Sequence, residues 1–116
     1  MSTTSEIVNQ HLKCFYQKDL DGVVADYASD AVLFIPSGPL RGVTAIRPFF
    51  QTFVAEFSKP GATFSMHQQY ADGDYAYILW NAETADNTYE AATDTFIVRN
   101  GKIVAQSFAA KITPKA

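Results

Sequence analysis

Apolar positions recur with a helical period through the first half of the chain and with a period of two through the second. Behind Ser5 and Glu6, the residues Ile7, Val8, His11, Leu12, Phe15 and Tyr16 fall on one face of a first helix, so His11 points where Ile7 and Phe15 point. Asp19 precedes Leu20, Val23, Val24 and Tyr27 as the N-cap of a short second helix, which the Ala28-Ser29-Asp30 segment ends. Residues 31–36 read as a buried strand running into Pro36, followed by a turn at Gly38-Pro39. A third helix carries Ile46, Phe49, Phe50, Phe53, Val54 and Phe57 on a broad aromatic face, and Pro48 must sit in its first turn or kink it.

From Gly61 onward, "ATFSMHQQYA", "DYAYILWNAETA", "TYEAATDTFIVR" and "KIVAQSFAAKI" are four long β-prone stretches separated by "DGD", "DN" and "NG". Tight turns between long strands predict an antiparallel meander. Helices first and a sheet afterwards define the α+β class, with the helices laid on one sheet face. No repeat or linker interrupts the pattern, so residues 1–116 are expected to form one domain.

Composition narrows the function. At 116 residues the chain is long enough to bury roughly 65% of its unfolded surface around one core. Nine Phe and six Tyr mean that the arrangement of aromatic bulk, more than the formation of a core, is what the fold must solve. A net charge of −3 with scattered Lys and Arg argues against a nucleic-acid partner. The single cysteine, Cys14, excludes an internal disulfide, and two histidines without ligand-spaced partners argue against a metal site. "MSTTSEIVNQ" lacks the features of a secretion signal, and no run approaches the ~20 apolar residues of a membrane span. A cytoplasmic protein that needs no cofactor and no membrane is the expectation.

"KDLDGVVADYASDAVLFIP", "LRGVTAIRPFF" and "TDTFIVRNGKIV" together resemble the nuclear-transport-factor-2-like superfamily, in its ketosteroid isomerase and SnoaL-like polyketide cyclase branch. The resemblance covers roughly residues 5–112. It implies a cone of three helices on a curved, mainly antiparallel sheet, with an apolar pocket at one end. The isomerases of that branch use an aspartate base at the end of the first strand, a helix-1 tyrosine and a protonated sheet aspartate. Aligned on "DLDG" and "IP", the base position carries Ile35, the tyrosine position His11 and the sheet-aspartate position Asp94. The usual base is absent, and an acid and an imidazole remain.

The residues themselves leave alternatives open. Strand alternation puts Ala92, Asp94, Phe96 and Val98 on one face, so Asp94 is either a pocket acid or a hydrogen-bonded structural carboxylate. His11 is either a satisfied core histidine or a polar handle, and Gln106 beside Phe108 is a second handle. Tyr16 lies one row away from His11 and could replace the missing phenol only on a rotated helix. Cys14 reads as a buried, inert thiol, and His67 as a residue of the outer sheet face. Trp80 walls either the pocket or a dimer interface.

The combined expectation is a domain that binds a small apolar molecule, with Phe15, Ile35, Phe50, Trp80 and Phe108 as walls and His11, Asp94 and Gln106 as polar contacts. As an enzyme it would be a cofactor-free isomerase, dehydratase or cyclase using Asp94 and His11; otherwise it is a binding or assembly module. Apolar residues on both faces of "YAYILW" predict a homodimer packed through the sheet.

Overall fold

The structure, a computed structural model, describes residues 3–115. Helices α1 (Thr4–Tyr16) and α2 (Leu20–Ala25) lead into strands β1 (Tyr27–Ile35) and β2 (Gly38–Arg41), then α3 (Val43–Ser58) and strands β3 (Thr63–Asp72), β4 (Tyr75–Glu83), β5 (Asn87–Arg99) and β6 (Lys102–Pro114). The six strands form one sheet in the order β2-β1-β6-β5-β4-β3. Every pairing is antiparallel except β1 with β6, which run parallel. Three helices on one curved, mainly antiparallel sheet is the α+β cone that the sequence predicts.

Local chemistry sets the elements. A capping box closes the start of α1: Thr3 Oγ1 accepts from the Glu6 amide, and the Thr3 amide donates to Glu6. Asp19 caps α2 by accepting from the Gly22 amide at 3.0 Å. Asn100 and Gly101 both take positive φ, 54° and 73°, which is the turn that joins β5 tightly to β6.

Two boundaries differ from the sequence reading. Strand β1 begins at Tyr27 rather than residue 31, because a register irregularity between Tyr27 and Val32 leaves Ser29 and Asp30 exposed while Tyr27 and Ala31 both turn inward. That break in the alternation is what hid the first half of the strand. The Gly38-Pro39 segment is not only a turn: it forms β2, an edge strand paired with β1 from Val32↔Arg41 to Ile35↔Gly38. Pro48 lies well inside α3, since the helix starts earlier, at Val43 behind Gly42. No helix is long and apolar enough to cross a membrane among the described residues.

The core lies between the helices and the concave sheet face. α1 covers β3, β4 and β5, and α3 covers β1 and β2. Ala76, Ile78, Trp80 and Ala82 of β4 and Ala92, Asp94, Phe96 and Val98 of β5 all point into it. α3 is tied to the β4–β5 turn by Glu56, whose carboxylate accepts from Thr84 Oγ1 (2.7 Å), Asn87 Nδ2 (2.9 Å) and Tyr89 OH (3.0 Å).

Because Thr84 and Tyr89 are buried, removing their common acceptor strands donors that water reaches poorly. Glu56→Ala should cost about 2–3 kcal/mol and lower the unfolding midpoint clearly, whereas exposed Glu90→Ala should leave it near the wild-type value. Urea unfolding of the two variants beside the wild type checks the difference; equal midpoints would show that the Glu56 cluster adds nothing.

Candidate functional site

A cavity sits between α1, α3 and the concave sheet face, and seven phenylalanines form most of its wall: Phe15, Phe49, Phe50, Phe53, Phe64, Phe96 and Phe108. The polar side chains at its lining are His11 from α1, Trp80 from β4, Asp94 from β5 and Gln106 from β6. Its free space is about 40 Å³, against the ~300–1,000 Å³ of pockets that enclose a drug-sized ligand. The protein's own rings fill it. Phe49, Phe53 and Phe108 also border an outer groove of about 320 Å³, so three partly buried rings are all that separates groove from cavity.

Strand alternation puts Asp94 on the inner face, and two neighbouring strands supply its donors. Trp80 Nε1 donates to Asp94 Oδ1 and Gln106 Nε2 to Asp94 Oδ2, both at 2.8 Å. Gln106 Oε1 in turn accepts from the Tyr27 hydroxyl. Beyond Tyr27 the contacts lengthen: its oxygen lies 3.5 Å from His11 Nε2, and His11 Nδ1 lies 3.7 Å from Asp26 Oδ2. The other Asp26 oxygen accepts from Gln10 Nε2 at 2.8 Å. A continuous line of polar groups thus runs from Asp94 to Asp26 through the core. Its aromatic surroundings are close, with the His11 ring edge-on to Tyr27, Phe50 and Phe96 at centroid separations of 5.4, 5.7 and 5.8 Å.

Burial sets the electrostatics. Desolvation pushes the Asp94 carboxyl up to about 6, partly opposed by the Trp80 and Gln106 hydrogen bonds and by the nearby His11 charge. The Tyr27 hydroxyl is held well above its ordinary value by burial, then by the charges of Asp94 and Asp26. At neutral pH, therefore, Tyr27 is a donor that keeps its proton, whereas Asp94 exchanges protons within the physiological range.

The structure brings His11, Phe15, Phe50, Trp80, Asp94, Gln106 and Phe108 together at this cavity. It does not bring Ile35, which closes the β1–β2 hairpin opposite Gly38 and packs on the core outside the cavity lining. Trp80 faces inward, away from the outer sheet surface. Tyr16 is 46% exposed and lies against Phe64, so it does not stand in for the missing phenol. Cys14 is half-buried, with its thiol pushed up by burial and by the Asp26 charge. His67 is exposed at the β3 bulge and bonds with Asn81. Sequence reasoning missed Asp26 and Tyr27. The apolar pattern puts Tyr27 on the second helix and singles out nothing at Asp26, whereas the structure ends that helix at Ala25.

The raised carboxyl has a consequence for stability. A folded-state value of about 6 against ~3.9 in the unfolded chain means that the native state binds more protons between those values. The contribution of Asp94 is fully present below pH ~3.9 and is lost as pH rises through about 6, a change of about 3 kcal/mol. Carboxyl-carbon NMR should show Asp94 titrating near 6, and Asp94→Asn should flatten the fall in stability between about pH 4 and 7. An Asp94 signal that titrates near ~3.9, or an unchanged slope in the variant, would contradict this.

Comparison with known proteins places the fold. The SnoaL-like domain family matches residues 8–106. No curated protein matches the chain by sequence. Among solved structures, an NTF2-like protein of unknown function from Mesorhizobium loti superposes with a TM-score of 0.79 at 23% identity, covering 93% of this chain and 90% of that one. A ketosteroid isomerase candidate from Kribbella flavida gives a TM-score of 0.76 at 16% identity, over 97% and 81% of the two chains. TerC co-crystallised with polyporic acid gives 0.75 at 15% identity, over 95% and 92%. At these identities the likeness is one of fold, while the family match spans most of the sequence. The chain belongs to the SnoaL-like domain family.

Proposed function

We propose that this domain is a cofactor-independent acid–base catalyst of isomerisation, dehydration or ring closure, acting on a small, flat, largely apolar molecule. The observation that carries the reading is a buried carboxyl that shares one aromatic cavity with an imidazole, is held by two N–H donors, and is pushed up to about 6 by its burial. A general acid or base works best when its pKa lies near the working pH, and Asp94 meets that condition through burial. Trp80 and Gln106 hold the carboxyl in place, and Phe15, Phe50 and Phe108 present ring faces and edges to a flat substrate. Asp94 removes or returns a proton at one end of the substrate, and His11 handles the other. A structural neighbour crystallised with polyporic acid fits a ligand of this kind.

A second reading, a non-catalytic binding module, is favoured by Ile35 at the position where the resemblance places the family's base. Mass spectrometry of a small molecule that co-purifies, followed by incubation of that molecule with the protein, separates the two. Conversion that falls 10²- to 10⁴-fold in His11→Gln, with binding retained, supports catalysis. Binding without conversion in the wild type establishes the module.

The assembly expectation has a physical basis on the outer sheet face. Register places Tyr77, Thr95, Ser107 and Phe34 in one row across β4, β5, β6 and β1, with Tyr75, Ile97, Ala105 and Val32 in the next. Within these four strands neither row holds a charge, Arg41 of β2 and Asp72 of β3 flank the ends of the second, and Phe34 and Tyr75 are half exposed. The proposed occupant of this surface is a second copy of the chain, packed sheet to sheet. Thr95→Arg, which puts a charge at the centre of the face, should turn a sedimenting dimer into a monomer without loss of fold. A wild type that sediments as a monomer at micromolar concentration would refute the interface.

A further inference from the structure

Among the described residues, His11 Nδ1 and Asp26 Oδ2 are the buried side-chain polar atoms that lack a hydrogen-bond partner, and they face each other at 3.7 Å. Both residues are almost fully buried, at 4% and 3% exposure, so water does not easily satisfy either atom. They stand at one end of the line that reaches Asp94 through Tyr27 and Gln106.

Each member of that line can donate in only one direction at a time. With Asp94 ionised, the Gln106 amide N–H donates to it, so Gln106 Oε1 needs a donor, and the Tyr27 hydroxyl serves. The Tyr27 oxygen then has only a lone pair to offer His11 Nε2, and Asp26 has only a lone pair to offer Nδ1. Both contacts close when His11 carries a proton on each nitrogen. The opposite arrangement is equally complete. With the proton on Asp94 Oδ2, that O–H donates to Gln106 Oε1 once the amide has turned over, and the amide N–H donates to the Tyr27 oxygen. The Tyr27 O–H then donates to His11 Nε2, and Nδ1–H still donates to Asp26. The two states differ by one proton, moved from His11 Nε2 to Asp94, with no change of net charge.

We infer that Asp26, His11, Tyr27, Gln106 and Asp94 form a single coupled unit with two fully hydrogen-bonded proton arrangements, in which Asp26 fixes the imidazole tautomer and Tyr27–Gln106 transmits the state of one proton-handling group to the other. Asp26 and Tyr27 are positioning residues; neither lines the cavity. The inference rests on the reading of Asp94 and His11 as a proton-handling pair, and it supplies what such a pair needs. When substrate takes the proton from Asp94 and gives one to His11 Nε2, from which the Tyr27 hydroxyl turns aside to donate to Gln106 Oε1, the line reverses and leaves no buried group unsatisfied. It suits an internal proton shift better than a hydrolysis.

Every charged or titratable group facing the two ends is accounted for. His11 meets Asp26, Tyr27 and, across the cavity, Asp94; Asp94 meets Trp80, Gln106 and His11; α3 contributes only phenylalanine rings to the cavity; Cys14 stands near enough to feel the Asp26 charge.

The test is NMR titration of the intact chain, reading the His11 ring nitrogens and the Asp94 carboxyl carbon, and it needs no substrate. Coupling of about one pH unit or more should give each wild-type curve two inflections, each at the other group's midpoint. Tyr27→Phe keeps the ring and removes the link, and should leave only the weaker coupling that the His11 charge exerts directly on Asp94; Gln106→Met cuts the same link from the other side and stands in if Tyr27→Phe fails to fold. Asp26→Asn should switch neutral His11 from the Nδ1–H to the Nε2–H tautomer. Single inflections in the wild type, coupling undiminished by either cut, or an unchanged tautomer in Asp26→Asn would overturn the inference. Coupling observed in a protein that converts no bound ligand would leave it standing and refute the catalytic reading alone.

Discussion

A carboxyl group inside a wall of phenylalanine is the constraint from which the rest of this site follows. Burial of Asp94 without partners would cost several kcal/mol, and the fold answers with two N–H donors from the two strands that flank β5. Satisfying one of them creates the next requirement. A Gln106 amide committed to Asp94 leaves its carbonyl wanting a donor, which brings Tyr27 inward from β1 and, beyond it, His11 from α1. Five elements are thus pinned around one acid. A one-residue slip of any of these strands would turn its contribution to the outer face, so the polar line specifies register as strictly as the apolar pattern does.

The aromatic residues do two things at once. Their bulk closes the core of a small domain, and their low polarity is what raises the carboxyl. The same rings leave little free space, so a ligand must displace some of them. The stacked Phe49 and Phe53, 5.7 Å apart, and Phe108 beside them are partly buried and border the outer groove. Entry through these three rings would leave the more deeply held Phe50 and Phe96, which frame His11, in place. Flexibility at the mouth and rigidity at the acid are therefore compatible in one pocket.

The fold was legible because its signals are local. Asp19 before an apolar helix, Asn100-Gly101 between two long strands and the alternation around Asp94 each act over a few residues, and each appears in the structure where the pattern placed it. The candidate site was legible where strand parity governed it: Asp94, Gln106 and Phe108 follow from which face of β5 and β6 looks inward, whereas apolar residues on both faces of β4 left Trp80 open. It was not legible where parity failed. The irregularity in β1 interrupts the alternation at exposed Ser29 and Asp30, between inward-facing Tyr27 and Ala31, and so concealed Tyr27. Asp26 follows α2, where a carboxylate is commonly solvated; only the packing of α1 across it, with Gln10 and His11 on the same side, makes it a buried group. Ile35 misled in the opposite sense, because a resemblance in strand position does not carry over the hairpin that draws the side chain away from the cavity.

That displacement of Ile35 also bears on how one fold hosts different chemistries. In the isomerase-like arrangement implied by the resemblance, the strand-1 end supplies the base and the sheet aspartate stays neutral. Here the strand-1 end supplies packing, and the sheet acid instead titrates near neutrality because two donors and a nearby imidazole partly offset its burial. The ionisation of a buried acid is thus set by the polar groups around it as much as by its own position in the sheet. With no second carboxyl lining the cavity, Asp94 is free to ionise in the physiological range, and an acid that ionises there can accept a proton as well as donate one.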